Sequence, residues 1–313
     1  MAKLSKPREG SLQFWPRSRA DKLLPRVNWD VVKFDAKNEG LLGFIAYKAA
    51  MATAVVKDNT EHSMTKGKKI ALPVTILEAP NMKIYAIRFY NNGIAVKDVI
   101  VSNDKELKRI VPLPKAMPTL EAPKQYDDIR VIAYSLPKTA NLKKTPDVTE
   151  IGINSANKFE YVKSLVGKEL SAKDFAKHSL VDVRGLTTGK GFSSAVKRFG
   201  ISLKQHKSEK GRRRPGSLGP WHPARVTFRT PMAGQLGMFT RVHYNQKIVF
   251  TSSIQEKDIN IPSGFPHYGK IDTNYIIIKG SVQGPQKRQI LLTPALRPTK
   301  KQAKKKYEFQ ELI

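Results

Sequence analysis

The stretch EAPNMKIYAIRFYNNGIAVKDVIVSNDKEL, residues 78–107, carries the main information about the fold. Apolar and polar residues alternate along it, and Asn-Asn-Gly at 91–93 interrupts the alternation. Alternation with a period of two is the pattern of a half-buried β-strand, and a short Asn/Gly turn joins two such strands. This stretch therefore predicts paired strands.

Strand patterns recur on both sides of this stretch. The predicted strands are 129–137, 224–230, 246–253, 274–282 and 288–294, with 41–56 interpreted as buried strand and turn. Two helices are predicted, one over 155–167 and a short one over 171–178 with Ser171 as its N-cap. Strands separated by tight turns, with few helices, favour a barrel or closed sheet. The mixed segment from about 81 to 177 is then an insertion.

The composition limits the classes of protein. The 313 residues suggest two domains or one elaborated domain, and 40% hydrophobic residues are enough for a real core. The chain carries 56 Lys and Arg against 26 Asp and Glu, a net charge of +30. Such a protein repels itself and binds polyanions, so nucleic acid, an anionic membrane or an acidic protein are the candidate partners.

Cysteine and targeting signals narrow these classes further. The chain has no cysteine, which excludes disulfides and thiolate metal sites. The first ten residues are charged and lead into no apolar run, unlike a signal peptide. The longest apolar stretch, 41–56, contains Lys48 and falls short of the roughly 20 residues that span a bilayer. We expect a soluble, cytoplasmic protein.

The positive charge is concentrated late in the chain. Between 184 and 241 there are thirteen Lys or Arg residues, and the one acidic residue is Glu209. Charge runs on protein surfaces usually mix both signs. Here the opposite charge has to come from outside the chain, and a phosphate backbone is the natural source.

A glycine-rich segment, 182–200, resembles nucleotide-binding loops only superficially. Its spacing is one residue too short for a P-loop, and Ser194 takes the third glycine position of the dinucleotide fingerprint. We interpret the segment as a strand, a turn whose N–H groups and Lys190 face phosphate, and a short basic helix capped by Ser193 or Ser194. An ordinary glycine turn is the alternative.

The six histidines show no metal-ligand spacing, and no carboxylate pair lies near the basic segment. We therefore expect no metal, no cofactor and no catalytic residue. A ribonuclease-like pair of His206 and His222 with a lysine is the enzymatic alternative. Any basic RNA-binding protein with histidines offers the same residues.

The segment GRRRPGSLGPWHPAR, 211–225, places Trp221 among arginines, prolines and glycines. The tryptophan either folds back onto an apolar surface or projects on a stiff loop to stack on nucleotide bases. Physical chemistry alone leaves these two alternatives open. Both chain ends lack periodicity, and the lysine-rich residues 297–313 are typical of a disordered arm that orders on nucleic acid.

Several motifs resemble a known family. Phe175, Asp182, Gly185, Thr187, Gly189, Lys190, Gly191 and Arg198 follow the signature of the universal large-subunit ribosomal protein three family. GPWHPARVTFRTPMAGQLG (219–237) resembles its archaeal and eukaryotic branch, and 10–20, 41–51, 72–78 and 276–298 match as well. Ser194 departs from the signature, which has a glycine there, and 81–177 matches less distinctly.

The resemblance implies a mainly β fold with an α/β insertion: a six-stranded translation-factor-like β-barrel carrying long irregular rRNA-binding extensions. It implies a structural constituent of the large ribosomal subunit that nucleates assembly, with large-subunit rRNA and neighbouring ribosomal proteins as partners and no membrane or small-molecule substrate. In relatives the tryptophan loop reaches toward the peptidyl-transferase region. Some relatives modify a histidine before that tryptophan, but the spacing of His206 differs, so this feature is not transferred.

The implied division of the chain has seven parts. They are an N-terminal extension (1–35), barrel (36–80), insertion (81–177), barrel with the glycine turn (178–200), basic tryptophan-bearing extension (201–229), barrel (230–298) and basic tail (299–313).

Sixteen residues are predicted to bind RNA. They are Trp15, Arg17, Arg19, Lys190, Lys197, Arg198, Lys204, His206, Lys207, Lys210, Arg212, Arg213, Arg214, Trp221, His222 and Arg225. Two other functions remain as alternatives: a stand-alone RNA-processing enzyme using His206 and His222, and a DNA-binding chromatin-type protein.

Overall fold

The computed structural model describes residues 9–32, 39–207 and 210–313. The chain is mainly β and divides into two compact units. The strand unit comprises residues 23–185 and 241–313, and the loop unit comprises the residues up to 22 together with 186–240.

Strands dominate the chain, and the helices are short. In chain order the strands are β1 (Gly40–Leu41), β2 (Phe44–Asp58), β3 (Lys69–Glu78), β4 (Met82–Asn91), β5 (Ile94–Ile100), β6 (Asp128–Ser135), β7 (Val148–Asn154), β8 (Leu180–Leu186), β9 (Phe192–Ser193), β10 (Gly234–Gln235), β11 (Thr240–Ser253), β12 (Asn274–Lys279), β13 (Gln289–Pro294) and β14 (Tyr307–Leu312). The helices are α1 (Lys158–Leu165), α2 (Ala172–Phe175), α3 (Ala195–Phe199) and α4 (Lys300–Ala303), with a 3₁₀ helix at Lys105–Arg109.

The stretch 78–107 forms the hairpin that its alternation predicts. β4 and β5 pair antiparallel with Asn91 opposite Ile94, so two residues, Asn92 and Gly93, make the turn. Both have positive φ, 50° and 76°. Asn and Gly tolerate this conformation, which the tight hairpin turn requires. The hairpin lies at one end of a five-stranded antiparallel sheet in the order β1-β7-β6-β4-β5.

The second large sheet has seven strands in the order β13-β8-β11-β12-β3-β2-β14. β13 also pairs with β2, so the order of the six strands β2, β3, β12, β11, β8 and β13 returns to its start. β14 joins this ring by pairing with β2 from outside it. The mainly β class is confirmed, while a translation-factor-like barrel stays a prediction at that level of detail.

The two sheets of the strand unit share a hydrophobic core. Ile87 and Val131 of the five-stranded sheet belong to the same buried cluster as Ile278 and Leu291 of the ring. A second cluster fills another part of the ring and includes Tyr275. Since each apolar side chain buried contributes roughly 1.5–3 kcal/mol, these clusters are a main source of the stability of the strand unit.

The loop between β2 and β3 is organised by one carboxylate. Asp58 accepts hydrogen bonds from the Thr60 backbone N–H at 2.9 Å, the Ser63 hydroxyl at 2.9 Å and the Thr65 hydroxyl at 2.6 Å. The hydrogen bonds from Thr60, Thr65 and Ser63 hold the pKa of Asp58 well below its usual range, because they stabilise the charged form.

Both predicted helices of the insertion are present. α1 lies inside the predicted 155–167, and α2 begins after Ser171, whose side chain accepts a hydrogen bond from the Lys173 N–H. Asp174 closes the capping box by accepting from the Ser171 N–H. Within the described ranges, no helix combines the length and apolar character needed to cross a membrane.

Two expectations about local structure are wrong. Residues 224–230, predicted as a strand, are bends, turns and irregular backbone, exposed up to Arg229, because alternation alone makes no strand where no sheet edge is offered as a partner. The C-terminal residues, expected to be a disordered arm, instead form α4 and β14. β14 pairs with β2, and Phe309 stacks on Phe250 at 4.9 Å between ring centroids, so this apolar ring anchors the lysine-rich tail.

Candidate RNA-binding surface

The glycine-rich turn of the loop unit is held in an antiparallel ladder. The Thr187 N–H donates to the Phe239 carbonyl at 3.0 Å, and the Lys190 N–H donates to the Leu236 carbonyl at 2.9 Å. β9 continues the ladder by pairing with β10. The predicted turn is therefore a fixed platform, whose residues 188–192 are all exposed.

Two glycines of this ladder are required by close approach. Gly237 has φ of 76°, and a Cβ there would overlap the Thr188 carbonyl oxygen. A Cβ on Gly189 would lie 2.9 Å from Cγ of Met238. Ser194, which departs from the family signature, is the N-cap residue of α3, and its hydroxyl accepts a hydrogen bond from the Arg213 guanidinium at 2.8 Å. The serine thus ties the basic run to the platform.

Arg198 is used inside the loop unit rather than held out to solvent. Its Nε donates to the Gln235 carbonyl at 2.9 Å, and one terminal nitrogen donates to the Met232 carbonyl at 3.0 Å. Burial lowers the pKa of Arg198 from its usual value. The side chain braces α3 against the segment that carries β10.

The N-terminal arm packs on the rest of the loop unit. Trp15 stacks on Phe199 with centroids 6.2 Å apart and meets Phe228 edge-on at 5.5 Å. The Arg17 guanidinium lies 4.2 Å from the Phe199 ring centroid and 4.9 Å from that of Trp15. Trp15 and Arg17 are therefore half buried in an aromatic cluster, and Arg19 is exposed.

The loop carrying Trp221 is exposed along its whole length. Residues 217–229 are all exposed, and Trp221 retains 87% of its accessible surface. The loop lines an open cavity of about 390 Å³, formed by Leu218, Gly219, Pro220, Trp221, Pro223, Ala224, Arg225 and Val226. The structure favours the projecting alternative for Trp221, since the ring does not fold back onto a core.

The three consecutive arginines lie at the surface. The Arg212 Nε donates to the Lys204 carbonyl at 3.1 Å, and the Lys204 N–H donates back to the Arg212 carbonyl at 3.1 Å. A guanidinium carries five N–H donors, so each hydrogen bond within the protein leaves donors for a phosphate. The described part of 186–240 contains no carboxylate side chain, and Glu209 lies outside the described residues.

The sixteen predicted RNA-binding residues separate by exposure. Four are half buried: Trp15, Arg17, Arg198 and Lys204. Twelve are exposed: Arg19, Lys190, Lys197, His206, Lys207, Lys210, Arg212, Arg213, Arg214, Trp221, His222 and Arg225. All sixteen belong to the loop unit, so the fold gathers the predicted set into one compact body.

Sequence reasoning missed two aromatic side chains of this surface. Phe192 is 83% exposed on β9, and Phe228 is 59% exposed beside the Arg229 guanidinium, 5.7 Å from its ring centroid. Phe192 stands within the signature segment, and its position between a glycine and a serine was the only signal available. A phenylalanine in a strand pattern is ordinarily assigned to a core.

The enzymatic alternative is based on two histidines of the loop unit. His206 and His222 are both exposed. Over the ranges that the structure describes, no group of three His, Asp or Glu residues is arranged to hold a metal ion.

Comparison with known proteins finds a matching family model and similar proteins from several organisms. The sequence model of the family described as ribosomal protein L3 matches residues 1–105 and 104–311. The large ribosomal subunit protein uL3 of Methanocaldococcus jannaschii is 39% identical, over 94% of this chain and 92% of the relative. Those of Pyrobaculum calidifontis and Archaeoglobus fulgidus are 39% and 38% identical, over 96% and 95% of this chain and 94% of each relative.

Proposed function

Since this chain belongs to the ribosomal protein L3 family, we propose that its loop unit binds large-subunit rRNA and that Trp221 reaches toward the peptidyl-transferase region. The chain is a structural, non-enzymatic component of the large ribosomal subunit, and through that subunit it acts in the cytoplasm in translation.

One observation carries the proposal. A basic segment without a described carboxylate displays an 87% exposed tryptophan on a loop that is itself exposed from 217 to 229. Exposing an indole in water forgoes the roughly 150–250 Å² of burial that the ring offers, so the loop is built for an external partner. A partner rich in phosphates and unpaired bases satisfies both the cations and the ring.

The proposal extends to the fold and the division of the chain. The closed order of six strands supports a translation-factor-like barrel, interrupted by the α/β insertion at 81–177. Residues 1–35 and 201–229 are the two extensions toward rRNA, and 299–313 is the basic tail. Neighbouring ribosomal proteins are the further partners, and early binding to rRNA would let the chain nucleate assembly.

The test replaces Trp221 by alanine and by phenylalanine. Because the side chain is exposed, both variants should fold and enter large subunits as the unchanged protein does. Chemical probing of rRNA in the assembled subunits should show altered reactivity near the peptidyl-transferase centre for Trp221→Ala and a smaller change for Trp221→Phe, which keeps a stacking ring.

Two results would contradict the proposal at different points. Identical rRNA reactivity in Trp221→Ala subunits means that the loop does not reach that region. Failure of the unchanged purified protein to bind large-subunit rRNA in preference to duplex DNA at one salt concentration means that the loop unit is not an rRNA-binding surface.

A further inference from the structure

Phe192 is an exposed aromatic side chain on a rigid support. It retains 83% of its accessible surface, although burying a phenylalanine is worth roughly 1.5–3 kcal/mol. Loose segments often expose apolar residues, but Phe192 belongs to β9, opposite Gln235 of β10. The position of the Phe192 Cα and the direction of its Cα–Cβ bond are therefore set by the backbone ladder.

The support on both sides of Phe192 is fixed by hydrogen bonds. The Leu236 N–H donates to the Gly191 carbonyl at 2.9 Å, and the Ser193 hydroxyl donates to the Lys190 carbonyl at 3.2 Å. Gln235, the partner of Phe192, has its own carbonyl held by Arg198 at 2.9 Å. Because this backbone is already ordered, only the Phe192 side chain has to lose conformational freedom when the ring binds a ligand.

The surroundings of the ring are cationic. Lys190 is exposed two residues before Phe192, so their Cα atoms lie within about 7.6 Å of each other. Gly191 between them has φ of 60°, and a Cβ there would meet no atom within 4 Å, so the space above the turn is open. An accessible ring, an accessible ammonium group and open backbone between them match the base and phosphate of one nucleotide.

We propose that the glycine-rich turn is a binding site for an unpaired nucleotide, in which Phe192 stacks on the base and Lys190 contacts the phosphate. This inference rests on the proposed rRNA-binding function and adds a site distinct from the Trp221 loop. Duplex RNA does not fit, because its bases are stacked on one another and present no free face. The site tolerates any base, since every base has a π-face.

The test uses the full-length protein and a large-subunit rRNA transcript, with Phe192→Ala, Phe192→Tyr, Phe192→Leu and Lys190→Ala as variants. Phe192→Ala should bind about 5- to 140-fold more weakly, the range for loss of one stacked base, with an unchanged salt dependence. Phe192→Tyr should restore binding and Phe192→Leu should not. Lys190→Ala should lower the slope of log affinity against log salt by about 0.7, the value for one phosphate of a single strand.

A second measurement locates the contact. Photo-crosslinking of 4-thiouridine-substituted rRNA should join the peptide containing Phe192 to a nucleotide that lies outside helices. This crosslink should vanish in Phe192→Ala and persist in Phe192→Tyr. Unchanged thermal unfolding of the variants shows that the effects are local, as expected for a side chain 83% exposed.

The outcomes separate the inference from the proposed function. If the unchanged protein binds rRNA and Phe192→Ala binds equally well, the stacking site does not exist, while rRNA binding by the loop unit stands. If Phe192→Leu binds as the unchanged protein does, the ring makes an apolar contact and no stack, which also overturns the inference. If the unchanged protein fails to bind the transcript, the proposed function itself fails.

Discussion

Replacing Arg212, Arg213 and Arg214 together by alanine removes three exposed guanidinium groups from a segment that has no described carboxylate to balance them. We expect weaker binding to large-subunit rRNA and, more specifically, a flatter salt dependence. Each phosphate neutralised contributes about 0.7 to the slope of log affinity against log salt for single strands and about 0.9 for duplex DNA.

The hydrogen bonds of these arginines determine how many of them can contribute to the salt dependence of RNA binding. Arg212 donates one hydrogen bond to the Lys204 carbonyl and Arg213 donates one to the Ser194 hydroxyl, and neither acceptor is charged. All three guanidinium charges are therefore still available to phosphates. Three contacts change the slope by about 2.1–2.7, so between 50 and 200 mM salt the unchanged protein should lose about 20- to 40-fold more affinity than the variant.

The assay is a filter-binding or fluorescence titration of the full-length protein with an rRNA transcript at five salt concentrations. The triple substitution to lysine is the matched control, because it keeps the charge and should keep most of the slope while losing bidentate contacts. Equal slopes for the unchanged protein and the triple alanine variant would remove these arginines from the phosphate contacts. A slope reduced equally in the lysine variant would refute the charge argument.

Two further predictions concern the packing that supports this surface and the fold beside it. Trp15→Ala should destabilise the loop unit by about 2 kcal/mol, less than the roughly 3–5 kcal/mol of a fully buried ring, because Trp15 is half buried against Phe199. Hydrogen exchange of the α3 amides should accelerate in this variant. Unchanged exchange would show that the stack of Trp15 on Phe199 does not support α3. The melting temperature of Asp58→Asn should fall less at acidic pH than that of the unchanged chain. The lowered pKa of Asp58 gives stability that is present above the pKa of the unfolded state and is lost as the pH falls through the pKa of the folded state. Identical pH profiles of melting temperature for Asp58→Asn and the unchanged chain would contradict this.

The sequence predicts strands and helices where the signal is local. The β4–β5 turn needs only Asn92 and Gly93, and the α2 cap needs only Ser171 and Asp174. Residues 224–230 alternate as a strand does, yet a strand forms only where a partner strand is in register, and such partners are set by tertiary structure. β14 is the converse case, since lysines that favour disorder precede a short strand of alternating apolar and polar residues whose partner, β2, lies near the other end of the chain.

The sequence shows where the basic segment lies but not how each of its side chains is used. The charge map places it between 184 and 241, where the loop unit lies. It cannot tell that Arg17 lies over the Phe199 ring or that Arg198 braces the backbone, because both roles depend on contacts between distant segments. Nor can it tell that Phe192 is outside, since a phenylalanine within a strand is normally in a core.

Two arginines, Arg130 of the strand unit and Arg198 of the loop unit, are held by different kinds of acceptor. In the strand unit, Arg130 is paired with the carboxylates of Asp30, Asp128 and Glu150 at 2.7–3.1 Å. In the loop unit, Arg198 is held by backbone carbonyls instead. A carbonyl satisfies an N–H donor as a carboxylate does, but it leaves the positive charge uncancelled. An arginine held this way braces the backbone and keeps the positive charge that attracts phosphate, whereas a carboxylate partner would weaken that attraction.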